Sequence, residues 1–363
     1  MGKVLNFLNT VFVEGFWKTF CVKWVWQTFL CAWVYTAFWK TFVVKKLKFD
    51  KWKGWIYLSP AIVLLLIFTI WPIFNTVNMA FMNGYTASGK ISGDYVVSYG
   101  IENFKMAVKE LTGFPLALKN TLLLTFVTVP LSTVLALLIA VFLNAIKPLQ
   151  RFLQTIFFLP YVTNSIAIGM VFAAMFATVG EWGNYGTSYG LINSVLGWFG
   201  VDPINFIGNN SGYWANFWVL VIYIVWNALP FKILVLLGAL QSINKQYYEA
   251  AKIDGTPRWR VFTRITVPLL SPMIAYVVIT GFIGGFKEYS SIVGVFGSQG
   301  TTIGGPTDKA TMRPRWLTMV GYIYQYVAQD KYGMVSAAAL ILFAIIFVVT
   351  MINLYVSKKK THY

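Results

Sequence analysis

Six stretches of the chain carry no charged residue: 55–82, 120–146, 152–180, 203–231, 265–286 and 332–357. Each meets or exceeds the roughly 20 residues with which an α-helix crosses about 30 Å of hydrocarbon. Runs within them such as AIVLLLIFTI and AALILFAIIFVVT are apolar on every face, so the helices they form are solvated only by lipid or by one another. A single window of this kind suits the buried helix of a soluble protein, but six in one chain do not. Charged residues make up only 11% of the sequence, against about a quarter in soluble domains. The expected fold class is therefore an all-α integral membrane protein with six core transmembrane helices.

Lysine and arginine set the orientation, because they concentrate on the cytoplasmic side. With the segment before the first window inside, the inner ends and loops, counted together with Lys232, hold 20 Lys and Arg against 4 Asp and Glu. The outer loops hold 9 and 8. Nearly all of the +17 net charge then lies inside. Clusters such as Lys45, Lys46, Lys48, Lys51 and Lys53, or Lys358, Lys359 and Lys360, flank spans at the level of anionic lipid headgroups. The basic character is accounted for without nucleic acid.

Residues 1–54 differ from the rest, interleaving aromatics with lysines and repeating FWKTF at 16–20 and 38–42. The charge-free run between Lys23 and Lys40 is 16 residues long. As a helix it covers about 24 Å and spans only if its flanking lysines snorkel. An interfacial helix and an additional span both remain open for this segment. Cys21 and Cys31, ten residues apart, suit neither a disulfide framework nor a metal site and read as packing or lipid-facing residues. No short apolar core followed by a small-residue cleavage site marks a signal peptide.

The loops 83–118, 181–212 and 287–331 are expected outside, and the inner loops are short except for 241–264. There the chain reads QYYEAAKIDGTPRWRVFTRITVPLLSP from Gln246. Glu249, Ala250 and Ala251 favour helix, while Gly255 permits the backbone geometry that ends one. This predicts a short helix projecting from the membrane, with an acidic residue, two small residues and a sharp turn. Such a helix suits docking into a groove on another protein, although an ordinary connecting loop reads similarly on physical grounds alone.

The spacing of this loop is more specific than its physics. EAA, three residues, Gly255, nine residues, Ile265, one residue and then Val267-Pro268 resembles the signature of binding-protein-dependent ABC importer permeases, with Val267 where those proteins usually carry leucine. A second stretch, GFIGGFKEYSSIVGVF, followed by GGP at 304–306 and TMVGYIYQYVAQDKYGMVSAAALILFAIIFVV, resembles the end of sugar permeases of the larger maltose-subunit type. Insertions between Val295 and Gly304 and between Pro306 and Tyr322 depart from their compact spacing. The resemblance covers about 55–358. It implies a permease domain over 55–363 with a coupling loop at 241–267, in a bacterial cell membrane. It further implies a second permease chain, an extracytoplasmic solute-binding protein, and two cytoplasmic ATPase subunits that bind ATP and Mg. Glu249, Ala250, Ala251, Asp254 and Gly255 would be the residues that couple to the ATPases.

GYTASGKI at 84–91 matches seven of the eight positions of a phosphate-binding loop, with Ile91 in place of the magnesium-binding hydroxyl. It follows a span rather than a strand and falls outside the membrane by the charge argument, so it reads as a flexible turn. The single histidine, His362, has no nucleophile or metal-ligand constellation around it, and the chain is not expected to be an enzyme by itself. Polar groups at membrane depth are expensive and mark candidate path residues: Asn164, Ser165, Trp226 with Asn227, Lys232, Lys287, Glu288 and Tyr289. Sugars suit such a set, because hydroxyls need paired donors and acceptors while ring faces stack on aromatics. Each also has a structural reading, as an interhelical bond, a snorkelling lysine or an interface marker. Gly281, Gly284 and Gly285 either admit close helix packing or provide a hinge. A permease for a non-sugar solute and a passive channel or structural subunit remain as alternative functions.

Overall fold

The computed structural model describes residues 49–83, 85, 98–109, 113–146, 150–179, 188–208, 211–299, 302–308 and 313–360. These fall into two units divided between Asn75 and Thr76. The FWKTF repeats, both cysteines, the question of an interfacial or spanning N-terminal helix, most of the 84–91 turn and His362 lie outside the described residues.

The first unit ends in helix α1 (Phe49–Leu65) and a π-helical turn, Leu66–Ile70, that leads into α2 (Trp71–Phe81). In the second unit follow α3 (Glu102–Val108), α4 (Phe114–Ala145), α5 (Gln150–Val162) and α6 (Ser165–Phe176), then the short strands β1 (Thr178–Val179) and β2 (Ser188–Tyr189). Next come α7 (Leu191–Trp198), α8 (Tyr213–Ser242), α9 (Gln246–Ile253), α10 (Arg258–Val261), a second π-turn (Phe262–Thr266) and α11 (Val267–Phe286). The outer segment holds α12 (Ser290–Phe296), two small hairpins formed by β3 (Ser298–Gln299) with β4 (Thr302–Ile303) and β5 (Thr307–Asp308) with β6 (Arg313–Pro314), and α13 (Met319–Val327). The long α14 (Tyr332–Lys360) follows.

Among the described residues five helical stretches are long and apolar enough to cross a bilayer: Tyr57–Phe81, Phe114–Ala145, Tyr213–Ser242, Arg258–Phe286 and Tyr332–Lys358. The sixth expected span, 152–180, is instead two helices, α5 and α6, bent by 99°. Pro160 cannot donate to the helix ladder, and Asn164, extended at ψ 120°, starts a new helix by accepting from Ile166 N–H at 2.9 Å and Ala167 N–H at 3.3 Å. The window 203–231 is also displaced. Gly212, in extended conformation, precedes α8, which begins at Tyr213 and carries Lys232 inside it. Lys232, which the charge pattern groups with the cytoplasmic residues, is 4% exposed within the bundle.

Each π-turn is separated from a following proline by one residue. Trp71 N–H reaches Leu66 O ahead of Pro72, and Val267 N–H reaches Phe262 O ahead of Pro268. The proline ring crowds the carbonyl four residues back and supplies no N–H; a widened preceding turn lets the helix continue past it.

α4 is the common wall of the second unit, packing on α8 and α11, while α11 packs on α14 and α6 on α12. At the outer end, Asn120 Nδ2 donates to Arg315 O at 2.8 Å and Leu317 O at 3.0 Å, and Thr121 Oγ1 accepts from Met319 N–H at 2.9 Å. Trp316 is buried against Tyr213, with ring centroids 4.5 Å apart. These contacts strap the outer segment across α4 and α8.

Where α6 crosses α12 the backbones touch: a Cβ on Gly169 would lie 2.6 Å from Gly294 Cα. Only glycine permits this approach. Gly169→Val is expected to destabilise the protein by about 1–3 kcal/mol through overpacking, whereas Gly197→Ala in α7, where a Cβ meets nothing within 4 Å, leaves stability unchanged or slightly raised. Thermal unfolding of the two variants in detergent checks the contrast.

Candidate functional site: a polar cavity and an exposed loop helix

A cavity of about 370 Å³ lies among α4, α8 and α11. Thr128 and Ser132 of α4, Asn227 and Lys232 of α8, Thr280 of α11 and Glu288 just beyond it supply its polar lining. Tyr161 and Phe231, stacked at 6.1 Å, supply aromatic faces. Thr280 Oγ1 donates to Tyr276 O at 2.8 Å and Thr128 Oγ1 to Leu124 O at 2.8 Å. Both hydroxyl protons are thereby spent on backbone a turn back, which leaves the oxygens as acceptors.

Lys232 is held rather than free. Its Nζ donates to Ser132 Oγ at 2.7 Å, Thr133 Oγ1 at 3.0 Å and Val129 O at 3.2 Å. Three donors meet three acceptors on α4, so the ammonium is fully bonded without a carboxylate and joins α8 to α4 in the interior. Ser132 in turn donates to Thr128 O at 2.5 Å.

The glycines of α11 divide by role. A Cβ on Gly285 would come 2.8 Å from Thr125 Cγ2, and one on Gly281 3.0 Å from Val129 Cγ1, so these two admit α4. A Cβ on Gly284 would meet nothing within 4 Å, and Gly284 lines the cavity. 

Of the residues singled out at membrane depth, Asn227, Glu288 and Lys232 line this cavity. Asn227 Nδ2 donates to Ser165 Oγ at 3.3 Å, and Tyr223 OH donates to Ser165 O, so Ser165 ties the start of α6 to α8 beside it. Asn164 serves as the cap of α6. Trp226 packs on Phe172 at 5.3 Å, and Tyr289 stacks on Tyr324 at 4.6 Å. Lys287 is exposed. Glu288 Oε1 accepts from Ser291 N–H at 3.0 Å, and its backbone O accepts from Thr318 Oγ1 at 2.9 Å. Thr128, Ser132, Thr280 and Tyr161 escaped sequence reading, since single hydroxyls in apolar runs carry no signal of their own.

In the loop between α8 and α11, α9 forms the short helix that the sequence predicts there. Its end is a Schellman turn: Thr256 N–H reaches Ala251 O at 3.0 Å, Gly255 N–H reaches Lys252 O at 3.1 Å, and Gly255 adopts φ +62°. A Cβ on Gly255 would meet nothing within 4 Å, so glycine is needed there for its conformation alone. Glu249, Ala250, Asp254 and Gly255 are exposed, whereas Ala251 is 5% exposed and faces its own chain. Ile253 at 87% and Trp259 at 73% exposure extend the same surface with apolar groups. Tyr248 OH lies 3.3 Å from Thr266 Oγ1 and anchors α9 at the base of α11.

A multi-pass helical bundle with a polar interior cavity and a helix presented on one membrane face defines a transport subunit of the permease class. The profile described as binding-protein-dependent transport system inner membrane component matches residues 129–362, and the chain belongs to that family. It is 28% identical over 312 residues to a lactose transport system permease protein of Rhizobium radiobacter, covering 85% of this chain and 94% of that one. It is 31% identical over 307 residues to an arabinooligosaccharides transport system permease protein of Bacillus subtilis, covering 84% and 88%. To a trehalose/maltose transport system permease protein of Thermococcus litoralis it is 28% identical over 317 residues, covering 87% and 97%. The fold is similar to a chain of a bacterial ABC transporter involved in import of the acidic polysaccharide alginate, with TM-score 0.68 at 23% identity over 86% of this chain and 97% of that one.

Gly284→Leu is expected to fill the cavity and abolish most uptake while shifting stability by no more than about 0.5 kcal/mol. Gly285→Val, which collides with Thr125, is expected to destabilise the protein by about 1–3 kcal/mol. Uptake in vesicles and thermal unfolding, measured on both variants, separate the two effects.

Proposed function

We propose that the chain is one of two permease subunits of an ATP-driven importer of sugars or oligosaccharides in a bacterial plasma membrane. An extracytoplasmic binding protein delivers solute, and two cytoplasmic ATPase subunits bind ATP and Mg. The observation that carries this reading is the interior cavity, whose acceptor hydroxyls, amide, carboxyl and stacked aromatic rings suit a polyhydroxylated ring. The sugar-transport names of the relatives support the substrate class.

Asn227 and Glu288 line the cavity and are the residues assigned to substrate hydroxyls. Ser165 orients Asn227, and Asn164 with Trp226 shapes the wall behind it. Lys287 and Tyr289 flank Glu288 at its outer rim. Transport proceeds by alternating access, the cavity opening to one side and then the other as helix bundles rock around it. Glu249, Ala250, Asp254 and Gly255 meet the ATPase, with Ala251 seating the helix against its own chain. Motion of α9 passes into α11 through the Tyr248–Thr266 contact, and α11 ends at the cavity.

Reconstitution of the chain with its partners in proteoliposomes tests this. Glu249→Ala is expected to cut sugar uptake on the order of tenfold or more and to abolish the stimulation of ATP hydrolysis by the loaded binding protein. Gly255→Val, which places a β-branched residue in the left-handed region at a local cost of about 1–2 kcal/mol, has the same effect, whereas Gly255→Asn retains coupled uptake. Uptake that persists after ATP depletion would instead establish a passive pathway.

A further inference from the structure

α11 and α14 pack side by side and leave a groove of about 280 Å³ between them. It runs along α11 from Val267 past Ser271 and Ala275 to Ile279, and Asn353 and Ser357 line it from α14. The four-residue spacing puts these α11 positions on one face. From Val267 to Ile279 the helix rises about 18 Å, close to the roughly 15 Å depth of one hydrocarbon leaflet.

The polar groups gather at one end. Ser271 Oγ is buried with no hydrogen-bond partner, and a hydroxyl buried unpaired in an apolar wall is costly. Immediately beyond, Lys358, Lys359 and Lys360 close α14 while Arg264 precedes α11 by three residues; Lys358 and Arg264 are exposed. The groove between α5 and α8, of about 290 Å³ and lined by Phe157 and Leu234, contains no buried side-chain N or O without a partner among the described residues.

We propose that the α11–α14 groove binds one anionic phospholipid of the cytoplasmic leaflet. One acyl chain lies along Ala275 to Ile279, an ester carbonyl accepts the Ser271 hydroxyl proton, and the phosphate sits beside Lys358 and Arg264 at the helix ends. The basic residues supply the preference for a negative headgroup, since each lysine near the surface strengthens binding to anionic lipid. The apolar face supplies the residence.

The test is retention of lipid by the full chain in nanodiscs of equal phosphatidylcholine and phosphatidylglycerol, followed by mild detergent extraction and native mass spectrometry. One phosphatidylglycerol is expected to stay bound with a preference of about tenfold or more. Ala275→Phe, which fills the groove, should release it, and Ser271→Ala should weaken it at unchanged thermal stability. A variant combining Lys358→Gln, Lys359→Gln and Lys360→Gln should keep a lipid but lose the preference. Equal retention of both lipids, retention indifferent to both Ala275→Phe and Ser271→Ala, or displacement of the lipid when a second permease subunit assembles would overturn the proposal.

Discussion

In hydrocarbon no water is at hand to satisfy a polar group, so a polar group at membrane depth without a partner in the protein is costly. This cost explains most of the polar chemistry of the spans. Thr121, Thr128, Ser132 and Thr133 return their hydroxyl protons to carbonyls one turn back on α4. Asn164 closes the open start of α6 at the bend that follows Pro160. Lys232, the residue hardest to keep dry, is tolerated because α4 offers a carbonyl and two hydroxyls at bonding distance. Polar capacity left over after these demands, such as the acceptor oxygens of Thr128 and Thr280, faces the cavity.

Close backbone approach is the second determinant, and it follows from the first. Lipid and leucine are equally apolar, so spans gain little by burying large side chains against each other and associate through tight packing instead. Gly169 with Gly294 sets the crossing of α6 and α12, while Gly281 and Gly285 bring α11 against α4. A chain of elements thereby runs through the molecule. The loop helix α9 is anchored by Tyr248 at the foot of α11, the far end of α11 from Thr280 to Gly285 walls the cavity, and Glu288 just beyond it holds Thr318 of the outer strap.

The sequence was legible where the physics is local. Freedom from charge over twenty or more residues marks a span whatever its neighbours do, because insertion is decided segment by segment. Helix α9 and its glycine-ended turn were equally readable, since the Schellman geometry at Gly255 depends on a few consecutive residues. Span ends were less so. The bend between α5 and α6 depends on a cap that competes with helix continuation, and α8 runs past Lys232 only because α4 supplies its partners.

What the sequence by itself determined is that this chain crosses the membrane repeatedly as helices and carries a short, glycine-ended helix in the loop 241–264. Those properties follow from transfer free energies and local backbone geometry, which are sums over neighbours in the chain. Only the tertiary structure decided that Asn227 and Glu288 share a cavity while Trp226 and Tyr289 pack beside it, that Ala251 turns inward, and that Gly284 faces space where Gly281 and Gly285 face α4. Each of these depends on which face of one helix meets which face of another. That rotation is set by packing between residues tens to more than a hundred positions apart, and the hydropathy of either helix alone does not contain it.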